Sequence, residues 1–68
     1  MFEIIYTLEG ETSLAFRFTI KKPANLIEVL RSFGFTRDRA RAIVKDVEMG
    51  KRVPLMLPSF DMLNVRKI

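Results

Sequence analysis

No cysteine, histidine or tryptophan occurs in this chain, and each absence removes a class of explanation. Without cysteine no disulfide can staple a small fold, and without cysteine and histidine the usual zinc ligands are missing too. The same absences remove the usual nucleophile and general base. Ser13, Ser32 and Ser59 have no base beside them in sequence, so triads that require His or Cys are excluded. The three glycines stand alone at positions 10, 34 and 50, which leaves no glycine-rich phosphate loop. The longest apolar run, Val53 to Leu57, is far too short to span a bilayer, and the opening Met-Phe-Glu-Ile-Ile-Tyr lacks the basic and apolar regions of a signal peptide. A complete, cytoplasmic, non-enzymatic binding protein without cofactor or metal is the expectation. Glu9 with Glu11, and Asp46 with Glu48, read as a hairpin loop and a solvated helix face rather than Mg²⁺ sites.

The 68 residues allow one domain, 1–68, and a chain this short buries only about 60% of the surface it exposes when unfolded. With no staple available, the apolar core must suffice, helped by any partner subunit. Hydrophobic residues form 49% of the chain, which is generous for so small a body and leaves apolar surface for self-association or a protein partner. Twelve Lys and Arg against eight Asp and Glu give a formal charge of +4, which attracts polyanions and also favours solubility.

Residues 2–8 and 14–20 alternate, with Phe2, Ile4, Tyr6 and Leu8 on one face and Leu14, Phe16, Phe18 and Ile20 on the other run's equivalent face. A period of two predicts half-buried strands, and the polar segment Glu9-Gly10-Glu11-Thr12-Ser13 joins them as an antiparallel hairpin. Pro23 ends the second strand. A helix follows, with Asn25 and Glu28 as a capping box and Leu26, Val29, Leu30 and Phe33 as its stripe, and Gly34 stops it. Thr36 caps a second helix whose stripe is Ala40, Ile43, Val44 and Val47 and which Gly50 closes. Val53 to Leu57 is a short strand in which Pro54 requires either a sheet edge or a place in the first positions of the run. After the turn at Pro58, the end reads either as a strand over Leu63–Ile68 or as a helix with Phe60, Leu63 and Lys67 on one side. The expected architecture is α+β, an N-terminal hairpin, two short helices joined by a tight glycine turn and a C-terminal strand, in the order ββααβ with the last element open.

The segment Leu26–Val47, with its Gly34-Phe35-Thr36 turn and the run Arg37-Asp38-Arg39-Ala40-Arg41-Ala42-Ile43-Val44, resembles the turn and second helix of a helix-turn-helix. That resemblance implies DNA binding, with Arg37, Asp38, Arg39 and Arg41 at the positions that meet base edges. Leu30 is bulkier than the residue those proteins place four before the turn glycine. The run Val29–Arg52 is also similar to the helical pair in the adaptor of the Clp protease and in the C-terminal domain of the ribosomal stalk protein, a likeness that implies a protein-binding module.

On a helical wheel Arg37, Arg41 and Lys45 gather beside the apolar stripe, with Arg39 on its other flank and Lys51 and Arg52 beyond the helix end. Residues 37–52 hold six positive and three negative charges. These six cations are the candidate nucleic-acid contacts, for DNA or RNA, directed mostly at phosphates. The bland alternative is a solvated face with pairs such as Asp38–Arg41 and Glu48–Arg52. A second basic surface is the outer side of strand 2, where Arg17, Thr19 and Lys21 alternate with Phe16 and Phe18, which read as core. The third candidate is a partner interface over Val53, Leu55, Met56 and Phe60. It competes with a core strand under the helices, and an edge strand there would allow a homodimer. Two functions are therefore expected: a nucleic-acid-binding accessory or regulatory protein, or a protein-interaction module, small inhibitor or adaptor.

Overall fold

A computed structural model describes residues 1–8 and 15–68, with the backbone alone of Ala15. Along the chain lie β1 (Phe2–Thr7), β2 (Ala15–Ile20), α1 (Pro23–Ser32), α2 (Arg37–Glu48), β3 (Val53–Met56) and β4 (Met62–Lys67). The strands form one antiparallel sheet in the order β2-β1-β4-β3, an α+β arrangement in which the helical pair covers one face. The turn expected over residues 9–13, the pair Glu9 and Glu11, and the place of Leu14 fall outside the described residues. No helix among the described residues is long and apolar enough to cross a membrane.

The helices end as their glycines require. Gly34 (φ 103°) and Gly50 (φ 89°) take the left-handed conformation that favours glycine. After α1, the Gly34 N–H donates to the Arg31 carbonyl and the Phe35 N–H to the Leu30 carbonyl; after α2, Gly50 donates to Val47 and Lys51 to Asp46. Both are Schellman closures, which satisfy carbonyls that a helix end leaves open. At its start α2 is capped by Thr36, whose Oγ1 accepts from the Arg39 N–H at 3.3 Å. The start of α1 differs from the expected capping box: Pro23 occupies the first turn, the cap residue is Lys22, and no side chain caps it. Proline at the first helical position brings a preset φ and no N–H to satisfy, so the helix begins two residues before Asn25. Glu28 then lies 3.7 Å from Arg31 instead of reaching back.

The C-terminal segment is a strand. It lies between β1 and β3, with six rungs to β1 and four to β3, so its backbone is paired on both sides. Leu63 and Val65 point to the helix side and are fully buried. A helix over the same residues would leave β1 and β3 without a common neighbour. Pro58, Ser59 and Phe60 form the connecting loop, with the Phe60 N–H donating to the Leu57 carbonyl and the Leu57 N–H to the Asp61 carbonyl. A three-residue hairpin loop of this kind ends on a left-handed residue, usually glycine. Here that residue is Phe60, at φ 68°.

The core consists of Phe2, Ile4, Leu26, Leu30, Ala40, Ile43, Val44, Val47, Leu55, Leu57, Leu63 and Val65. All four residues of the α2 stripe are in it, as are Leu26 and Leu30 of α1. Phe16 and Phe18 are not, although the alternation reads them as core: they are 53% and 47% exposed. They share the helix-side face with Tyr6 and Ile4, but β2 is an edge strand, where a ring has a cross-strand neighbour on one side only.

A Cβ added at Gly34 would meet nothing within 4 Å. Its cost is therefore confined to the backbone. Gly34→Ala should destabilise the protein by about 1–2 kcal/mol, read as a shift of the urea midpoint at unchanged slope.

Candidate functional site

The six cations expected to act as one stripe separate into three places. Arg37, Arg41 and Lys45 remain together, exposed along one flank of α2. Among the described residues no carboxylate lies within ion-pair distance of any of them, and neither the Asp38–Arg41 nor the Glu48–Arg52 pair forms. Arg39 lies on the opposite flank, the one turned towards β3. Its guanidinium is 5.9 Å from the centre of the Phe35 ring, and it borders an open hollow of about 400 Å³ with Phe33, Phe35, Met56, Leu57 and Pro58. A contact of this type is worth about 0.5–1 kcal/mol at an exposed site, so Arg39 has a structural use of its own. Lys51 is spent in part on Asp46, at 4.0 Å. Arg52 reaches the other side of the molecule.

That other side is the uncovered face of the sheet, and its side chains form three rungs. The first runs Thr19, Glu3, Arg66; the second Arg17, Ile5, Asn64, Pro54; the third contains Thr7, Met62 and Met56. No aromatic ring is among them, so this face offers no platform for stacking bases. Glu3 is the one buried charged residue among those described, with its side chain 6% exposed. Its carboxylate accepts from Arg66 Nε at 2.7 Å and lies 3.2 Å from Arg17 Nε. A charge so placed is stable only because it is paired on both oxygens. Arg17, read as part of an outer basic surface, is there, but its guanidinium is paired with Glu3.

Of the expected partner interface, Leu55 is 5% exposed and belongs to the core, and Val53 packs partly against it. Both alternate onto the helix side because Leu55 pairs with Leu63 and Val53 with Val65. Met56 and Phe60 remain exposed, at 62% and 61%. β3 is an edge strand and Pro54 also stands near its start, so both placements open to this proline are met. β3 is four residues long and lacks one N–H, so the longer β2 edge with Phe16 and Phe18 is the better surface for pairing.

A second polar contact between distant parts of the chain, like that of Glu3 with Arg66, is not legible from the pattern of residues. The Tyr6 hydroxyl donates to Asp61 Oδ2, which also accepts from Ser59 Oγ at 3.0 Å. The Tyr6 ring stacks on Phe33 at 5.8 Å and lies 6.3 Å from Phe16. Alternation places Tyr6 on the apolar face, and its hydroxyl gains a partner only when β4 is laid beside β1.

No family model, curated protein or solved structure matches the chain, so the reading of function rests on these surfaces alone.

The hydrogen bond to Asp61 raises the pKa of Tyr6 above the ordinary 10.0, with desolvation and the carboxylate charge acting in the same direction. The bond requires the neutral phenol. Its contribution is therefore intact below pH 10.0, the unfolded value, and is lost as pH rises through the higher folded value. With one tyrosine and no tryptophan, absorbance at the phenolate band follows Tyr6 alone. The native protein should titrate above 10.0 and Asp61→Asn should move the midpoint back towards it.

Proposed function

We propose that the protein is a nucleic-acid-binding accessory module that contacts phosphates through Arg37, Arg41 and Lys45. The observation that carries this reading is the row itself: three cations exposed on one helix flank with no carboxylate partner among the described residues. A solvated helix face normally forms i,i+3 or i,i+4 pairs, and although Asp38 and Glu48 lie on this side of α2, their pairs with Arg41 and Lys45 are not made. Arg37 also stands in the first turn of α2, where the helix dipole disfavours a cation by a few tenths of a kcal/mol, and an anion bound there would offset this. The absence of aromatic rings from the open sheet face argues for backbone contacts rather than base stacking. Either DNA or RNA satisfies the chemistry.

A second reading, a protein-interaction module, is favoured by Phe60. A bulky aromatic residue is rarely left-handed, and the strain costs on the order of 1–2 kcal/mol where glycine would cost little. Phe60 carries that conformation with its ring 61% exposed, so the fold gains little from the ring. Strain of this kind collects at sites used for binding. Phe16 and Phe18 on the β2 edge offer a related surface, through which two copies could pair as a homodimer.

Fluorescence anisotropy with labelled duplex, single-stranded DNA and RNA tests the first reading. Binding should weaken steeply with salt, and Arg37→Ala with Arg41→Ala should lower the slope of log K against log salt by about 2; no binding at low salt overturns it. For the second, Phe60→Gly should raise stability by about 1 kcal/mol while weakening any self-association seen by sedimentation equilibrium. Loss of stability in that variant would show that the ring is structural.

A further inference from the structure

The uncovered sheet face has a feature that the helix flank does not explain. Arg52 immediately precedes β3, one step beyond the rung in which Val53 pairs with Val65, and this places it in register with Arg66. Both line a hollow of about 280 Å³ with Asn64 and Ile5. Like charges opposite each other on neighbouring strands are destabilising, and nothing in the core requires Arg52, which is exposed. The neighbouring carboxylate does not relieve them. Glu3 is shared between Arg66 and Arg17, and among the described residues Arg52 has no carboxylate within ion-pair distance. Three guanidiniums therefore face one carboxylate, an excess of two positive charges.

We propose that this hollow is a phosphate-binding site formed by Arg52, Arg66 and Asn64. Each guanidinium carries five N–H donors in a planar fork, so the single bond from Arg66 Nε to Glu3 leaves that side chain donors to spare. The bond also fixes where they point, since Glu3 is buried between strands and cannot follow a ligand. Asn64, two residues before Arg66 on the same face, supplies a neutral amide donor about 7 Å along the strand. Ile5 forms the apolar floor. A phosphate group, carrying up to two negative charges and accepting on several oxygens, matches both the excess charge and the donors. The group can belong to a phosphate monoester or to the diester backbone of a nucleic acid. The site does not rest on the α2 flank, which lies across the sheet from it.

The test is a ¹H–¹⁵N titration that resolves the Arg Nε–Hε and Asn side-chain signals, with inorganic phosphate added against chloride at constant ionic strength. Saturable shifts at Arg66 and Asn64 are expected. Arg52→Ala, an exposed change with little bearing on folding, should weaken the apparent affinity about tenfold or more, whereas Arg37→Ala with Arg41→Ala should leave it unchanged. A nucleoside monophosphate that shifts the same signals assigns the site to a monoester, and a short oligonucleotide that alone competes for it assigns it to the diester backbone. The proposal is overturned if phosphate produces no saturable shift, or if the shifts persist at full strength in Arg52→Ala. Failure of the helix variants in nucleic-acid binding has no effect on either result.

Discussion

Six rungs between β1 and β4, from Phe2–Lys67 to Thr7–Met62, join the two ends of the chain, and most of the remaining structure is arranged around them. Each terminal hairpin has only two strands, too few for independent stability in water. Paired along β1 and β4 they become a four-stranded sheet with one apolar face, on which α1 and α2 bury their stripes. The ladder also brings Ile4 beside Val65 and Tyr6 beside Leu63, so the centre of the core is shared between residues about sixty positions apart. Pairing so distant in sequence must close a long loop before it is rewarded, so the core rests on non-local contacts.

The same ladder organises the charges. Glu3 stands opposite Arg66 because Phe2 pairs with Lys67. Arg17 reaches the other oxygen from β2, so one carboxylate links three strands of the open face. A buried ion pair contributes little net stability, but removing one partner leaves an uncompensated charge. Slipping β4 by one residue would send Arg66 to the helix side and Val65 to solvent.

Basic side chains consequently occupy both faces of a thin body, whose principal extents are 29 × 24 × 17 Å. One group follows the outer flank of α2; the other lies over the sheet. They are separated by the core, so no single groove of a ligand meets both at once without wrapping the domain. The apolar surface is divided likewise. Met56 and Phe60 lie near the β3–β4 loop and Phe16 and Phe18 on the opposite edge. An edge strand with uncovered rings is what proteins ordinarily avoid or use for pairing.

Local chemistry was enough to read both helices, both glycine closures and the Thr36 cap, since each depends on residues within one turn. The alternation of two neighbouring runs was enough for the antiparallel pairing of β1 with β2 and, with the helices, for the α+β class. Leu26, Leu30 and the whole α2 stripe could be assigned to the core for the same reason. Alternation could place Phe16 and Phe18 on a face but could not say that the face runs out of neighbours at β2, which depends on strand order. The last element stayed open between strand and helix because its own residues permit both, and only the vacancy between β1 and β3 decides it. Wheel geometry could place Arg37, Arg41 and Lys45 on one flank. It could not send Arg52 to the far side of the sheet, because that position follows from where β3 leaves α2. Arg39 on Phe35 and Lys51 on Asp46 are short-range contacts with residues that the wheel does not relate to the cationic row. Glu3 between Arg17 and Arg66, and Tyr6 on Asp61, join residues that are distant in the chain. Such contacts exist only once the sheet has closed, so tertiary structure alone decided them.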